Sequence, residues 1–88
     1  MIQTMYSVFD CKAEVYGVPF MAPNDLVAIR FFSVEVQRVD STNMLFLYPV
    51  DYDLCAVGSF DVLRGILTGV DEPRLVAAGL NCTKKVSI

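Results

Sequence analysis

Histidine is missing altogether from this 88-residue chain, and so is tryptophan. The first absence removes the commonest general base and the commonest neutral metal ligand near physiological pH. A serine or cysteine nucleophile would then need a lysine or carboxylate helper, and no recognised spacing supplies one. Glycine is scarce: Gly17, Gly58, Gly65, Gly69 and Gly79 are scattered, and none opens a phosphate-binding turn ahead of a helix. Cys11, Cys55 and Cys82 contain no CxxC pair, so zinc-knuckle and dithiol chemistry lack a motif, and the three read as reduced, small core hydrophobes. Charge is thin as well, at 19% of residues, with ten acidic against seven basic side chains and a net charge of −3. That balance argues against broad electrostatic coating of nucleic acid, which needs clustered Lys and Arg. No apolar run approaches the roughly 20 residues that span a bilayer, and Met1-Ile2-Gln3-Thr4 does not begin like a signal peptide. The expectations are a protein of the cytoplasm with no membrane contact, no cofactor, no metal and no catalytic residues. Asp51 and Asp53, the nearest thing to a carboxylate pair, read as part of a solvated turn.

Hydrophobic residues make up 55% of the chain, high for a soluble domain. One domain over residues 1–88 is expected, with residues 81–88 as a frayed tail. Residues 4–9 are strand formers with apolar groups on both faces, Tyr6 and Val8 against Met5 and Phe9, as in a central strand. Residues 15–22 place Tyr16, Val18 and Phe20 on a common face, and Pro19 pushes this segment to a sheet edge. Asn24 and Asp25 are a helix-start signal, and the spacing predicts a helix over about 25–38. Leu26, Ile29, Phe32 and Val36 form one apolar stripe of that helix; Val27, Phe31 and Val34 form a second, well round the cylinder. A surface helix usually needs only one. The apolar run 44–48 is strand-sized. Residues 54–60 and 65–70 read as a hairpin about Asp61-Val62-Leu63-Arg64, with Gly65 free to take positive φ. Residues 74–80 fit strand or helix equally. The fold class is therefore α+β, a mainly antiparallel sheet of four to five strands with one helix packed on it.

Read in order, Tyr6-Ser7-Val8-Phe9-Asp10, Lys12-Ala13-Glu14-Val15-Tyr16-Gly17, Pro19-Phe20, Asn24-Asp25, Ala28-Ile29-Arg30 and Phe32-Ser33 form one pattern. The pattern continues through Pro49, Asp51-Tyr52-Asp53-Leu54, Gly58, Phe60-Asp61, Gly65, Thr68, Pro73 and Leu75-Val76. This series resembles the small nonstructural proteins of gokushovirus-type microviruses. The resemblance implies a bacteriophage protein working in the cytoplasm of the infected bacterium, as a DNA-binding accessory factor in single-stranded genome synthesis. One departure stands out: Phe46-Leu47-Tyr48 occupies a stretch that is polar and partly basic in such relatives, which removes phosphate contacts and adds apolar surface.

Two functional expectations follow. As a binder of single- or double-stranded DNA, the chain would stack exposed aromatics on bases and neutralise phosphates with a few cations. The candidates are Arg30, Arg38, Arg64, Arg74, Lys84, Lys85, Tyr16 and Tyr52, with Tyr6, Phe31 and Tyr48 as further aromatics. As a homo-oligomeric interaction module, or an adaptor for viral or host replication proteins, it would use Val27, Phe31, Val34, Phe46, Leu47 and Tyr48.

Overall fold

A computed structural model describes residues 1–82. Strand β1 (Ile2–Asp10) is the centre of the sheet. One edge of β1 pairs with β4 (Tyr52–Asp61), and the other with two short strands, β2 (Val15–Tyr16) and β3 (Phe20–Ala22). The far edge of β4 carries β5 (Ile66–Ala78), giving the order β2-β1-β4-β5, all antiparallel. Helix α1 (Asp25–Gln37) lies on the concave side of this curled sheet. The α+β expectation and the central place of the first strand both hold.

The register explains the core. Tyr6 faces Ala56 and Val8 faces Leu54 across β1–β4, while Tyr6 also faces Phe20 on β3. Paired residues share a face, so Tyr6, Val8, Phe20, Ala22, Leu54 and Ala56 all point toward α1. The helix answers with Ala28, Phe32 and Val36, and Cys82 closes the cluster. The face assignment of the helix needs one correction. Leu26 is 78% exposed, and Ala28 takes the inward position, because a small side chain lets the helix approach the sheet closely.

Asn24 caps the helix, its side-chain oxygen accepting from the Val27 amide at 3.0 Å. The segment 15–22 is not one strand. Gly17-Val18-Pro19 interrupts it, Val18 turns outward to 92% exposure, and only Phe20 of the anticipated face packs inward. Proline cannot donate to the ladder, which is the physical reason for the break.

Residues 44–48 also depart from expectation. Met44–Leu47 form a short helix, α2, capped by Asn43, followed by a 3₁₀ turn at Pro49–Asp51. Asn43 is buried and donates to the carbonyls of Glu35 at 2.8 Å and Arg38 at 3.0 Å, so it both ends α1 and starts α2. A side chain that satisfies both backbones there overrides the strand preference of an apolar run.

The hairpin about residues 61–64 is present, with Gly65 at φ 68°. Its second strand runs on to Ala78, which settles residues 74–78 as strand, and a 3₁₀ turn follows at Gly79–Cys82. The anticipated tail begins inside that turn, and the rest of it lies outside the described residues.

All three thiols are free; Cys11 is exposed, whereas Cys55 and Cys82 are buried. Burial, aided by Asp53, pushes the Cys55 thiol above its ordinary pKa and lowers its reactivity. Native protein titrated with a thiol reagent at neutral pH is expected to release one fast equivalent, from Cys11, and denatured protein three. Fast labelling of Cys55 in folded protein would mean that the β1–β4 contact opens readily.

Candidate functional site

Two concavities sit side by side on the helical face of the sheet and share Val8 and Leu45 as a common wall. The first is an open groove of about 420 Å³ between the β1–β2 turn, the start of β4 and the α1–α2 junction. Arg38 and Tyr52, two of the residues expected to contact nucleic acid, line it with Asp10, Thr42 and Asn43. Tyr16 borders it from β2, but as the partner of Phe9 it carries its ring on the opposite face of the sheet. Tyr16 is held by its strand partner Phe9, ring centroids 4.6 Å apart.

The electrostatics of this groove are mixed. Arg38 Nε donates to Glu35 at 3.1 Å and Arg38 Nη1 to Asp40 at 3.0 Å, so its charge is already matched. Asp40 is in turn fixed by the Thr42 amide and hydroxyl, which with Arg38 hold its carboxyl below the usual range. Burial, then the carboxylates of Asp10 and Asp51, pushes the Tyr52 phenol up and keeps it a neutral hydrogen-bonding ring. The groove therefore offers one ring, Tyr52, and little net positive potential.

The second concavity, about 290 Å³, is apolar: Val8, Phe20, Phe31, Phe32 and Leu45 line it, with Glu35 at the rim. Adjacent helix residues play opposite parts here. Phe32 is 3% exposed and belongs to the core, whereas Phe31 is 51% exposed and only its edge meets Phe20, centroids 6.4 Å apart. Val34 is 60% exposed and continues the uncovered stripe. Val27 is half-buried against the core and leaves less surface open than Phe31 or Val34. Phe46 is half-buried, while Leu47 and Tyr48 are exposed.

The remaining cations do not gather. Arg30 is exposed on α1, and Arg64 sits at the hairpin tip. Arg74 is committed to Asp25, its two guanidinium nitrogens donating at 2.9 and 3.1 Å. Tyr6 is buried and cannot stack on a base; instead its hydroxyl donates to Asp25 at 2.7 Å. Lys84 and Lys85 lie outside the described residues. Among the described residues no set of three or more His, Cys, Asp or Glu side chains converges as a metal site; Asp53 accepts from Cys11 at 3.5 Å. No helix among them is long and apolar enough to cross a membrane.

The Tyr6–Asp25–Arg74 clamp joins β1, the helix start and β5, and nothing in the local sequence announces it because its members are far apart in the chain. Arg74 first, then Tyr6, draws the Asp25 carboxyl below its ordinary value. A depressed carboxyl stabilises the fold above its unfolded-state value and loses that contribution as pH falls through the folded one. The pair is solvated, so the effect on stability is small, well under about 1 kcal/mol. Arg74→Gln is expected to move the Asp25 titration, followed by carboxyl NMR, back up toward the ordinary value. An unchanged Asp25 titration would show that the clamp is not formed in solution.

The model of the family described as Phage ORF5 protein matches residues 3–82. The chain is 41% identical over 68 residues to "Protein ORF5" of Chlamydia phage 1, covering 75% of this chain and 71% of that protein. No solved structure matches.

Proposed function

The chain belongs to the Phage ORF5 family, small nonstructural proteins of gokushovirus-type microviruses, and on that premise we propose that it acts as a non-enzymatic, self-associating accessory protein in the infected bacterium. The observation that carries this reading is the exposed stripe of Phe31 and Val34 beside an apolar concavity. Fully burying such side chains is worth about 1.5–3 kcal/mol each, a large inducement for a small domain to cover them with another protein surface. A homo-oligomer covers them with material that is always present, and the assembled particle then serves as an adaptor for viral or host replication proteins in the cytoplasm.

The test is sedimentation of the full chain across a wide concentration range. The expected result is an oligomer that Phe31→Asp converts to folded monomer. A wild type that stays monomeric at high concentration removes the reading.

A second reading is favoured by one specific observation, the meeting of Tyr52 and Arg38 in the open groove. In that reading the protein holds a short stretch of single-stranded DNA, the Tyr52 ring stacking on a base and few cations reaching phosphates. Binding would then weaken only shallowly with salt, on the order of two to four phosphates neutralised per subunit. Titration with single- and double-stranded DNA at two salt concentrations, on wild type and on an Arg30→Ala/Arg38→Ala variant, decides it. Absence of binding at low salt rules out this reading for the isolated protein.

A further inference from the structure

The tip of the β4–β5 hairpin is closed by hydrogen bonds of the kind that also close the β1–β2 turn at Asp10. Asp61 Oδ1 accepts from the amides of Leu63 at 3.0 Å and Arg64 at 3.2 Å, and the Gly65 amide returns to the Asp61 carbonyl at 2.7 Å. Gly65 takes φ 68°, and the Val62 amide is tied to the Met1 carbonyl at 3.0 Å. These bonds fix the turn in one shape. At its apex, where turns ordinarily place Gly, Asn, Asp or Ser, stands Leu63, 84% exposed, with Val62 half exposed beside it. A rigid turn that presents an aliphatic side chain is preorganised to insert into an apolar hole, because little conformational freedom remains to be lost.

The same chain carries such a hole. The cavity under Phe31 is lined by five apolar side chains and, at about 290 Å³, exceeds the apolar cavities of about 150 Å³ that take up a benzene-sized guest. One charged residue lines it, Glu35, which is paired with Arg38 at 3.1 Å. Only Oε2 of that carboxylate is used, by Arg38, which leaves Oε1 open among the described residues. The tip bears the opposite charge, Arg64, which forms no ion pair among the described residues. Knob and hole therefore match in polarity, and Arg64 and Glu35 are opposite in charge.

They cannot meet within one chain. The tip extends past the Ile2–Asp61 pair and the cavity lies at the Val8–Leu54 pair, six residues along the strand or about 20 Å away. We infer that the Val62–Gly65 tip of one copy docks in the Phe31 cavity of a second copy, Leu63 entering the hole and Arg64 meeting Glu35 Oε1. A two-fold pair makes this contact twice and closes.

The inference rests on the self-association reading and names the surfaces that produce it. The experiment is analytical ultracentrifugation of the full chain, wild type against Leu63→Asp, Leu63→Ser, Arg64→Glu, Glu35→Lys and the double variant Arg64→Glu/Glu35→Lys. Circular dichroism verifies that each is folded, as substitutions at exposed positions should be. Either Leu63 variant is expected to weaken self-association at least about tenfold, the equivalent of losing one buried aliphatic side chain. Each charge reversal is expected to weaken it several-fold, and the double variant to regain most of the loss. An oligomeric wild type with both Leu63 variants unchanged overturns this contact and leaves self-association standing. A double variant as weak as its single parents overturns the Arg64–Glu35 pairing. A monomeric wild type removes both readings.

Discussion

Phe32→Ala is expected to cost about 3–5 kcal/mol of folding stability, while Phe31→Ala, one residue earlier, costs less than about 1 kcal/mol and instead weakens self-association. Phe32 sits at 3% exposure among Tyr6, Ala28, Val36 and Leu54, where removing a ring leaves a cavity that a close-packed interior fills poorly. Phe31 has solvent over half its surface, so truncating it leaves little void within its own chain. A domain of this size holds roughly 4–13 kcal/mol in total, so the Phe32 variant should be marginal or unfolded at physiological temperature. Urea unfolding at low protein concentration isolates the first effect, because self-association adds stability by mass action and would otherwise blur the two. Equal losses at both positions would mean that Phe31 is buried in solution even as a monomer.

The second large effect is expected at Gly79. This residue is buried where the closing 3₁₀ turn, Gly79–Cys82, packs on the turn at Pro49–Asp51. A Cβ placed on it would lie 2.7 Å from the Tyr52 carbonyl oxygen and closer still to that of Pro49. Both obstacles are backbone, and one belongs to a proline, so neither can swing aside as a side chain would. Gly79→Ala should therefore cost about 3 kcal/mol or more, the upper end of what overpacking does. Gly69→Ala is the control, since nothing lies within 4 Å of its added methyl group. If the two variants melt at the same temperature, the two turns do not pack on each other as described.

Much of this arrangement was legible in the order of residues. Asn24 and Asp25 mark the helix start, the hairpin turn is read from Asp61 and Gly65, and the alternation of Tyr6 and Val8 with Met5 and Phe9 identifies the central strand. These are local signals, in which backbone preference and side-chain period act within a few residues. The second helical stripe was likewise visible, and Phe31 and Val34 are indeed left open. The family itself was readable from an ordered series of short pieces along nearly the whole chain.

The misreadings share a cause. Leu26 was placed inward by period alone, yet the depth of the sheet beneath the helix selected Ala28. Tyr6 was counted among ring donors for bases, yet Asp25 and the core claim it. Residues 44–48 have strand composition, yet buried Asn43 turns them into a helix.

By itself, then, the sequence determined the element types, the sheet's central strand, the absence of histidine chemistry and the family, because each depends on neighbours in the chain or on composition. Tertiary structure alone decided which cations stand free, which aromatic rings reach solvent, and that a cavity lies next to Phe31. Those properties depend on partners as distant as Asp25 and Arg74, and an ion pair or a void exists only once the sheet has curled around the helix.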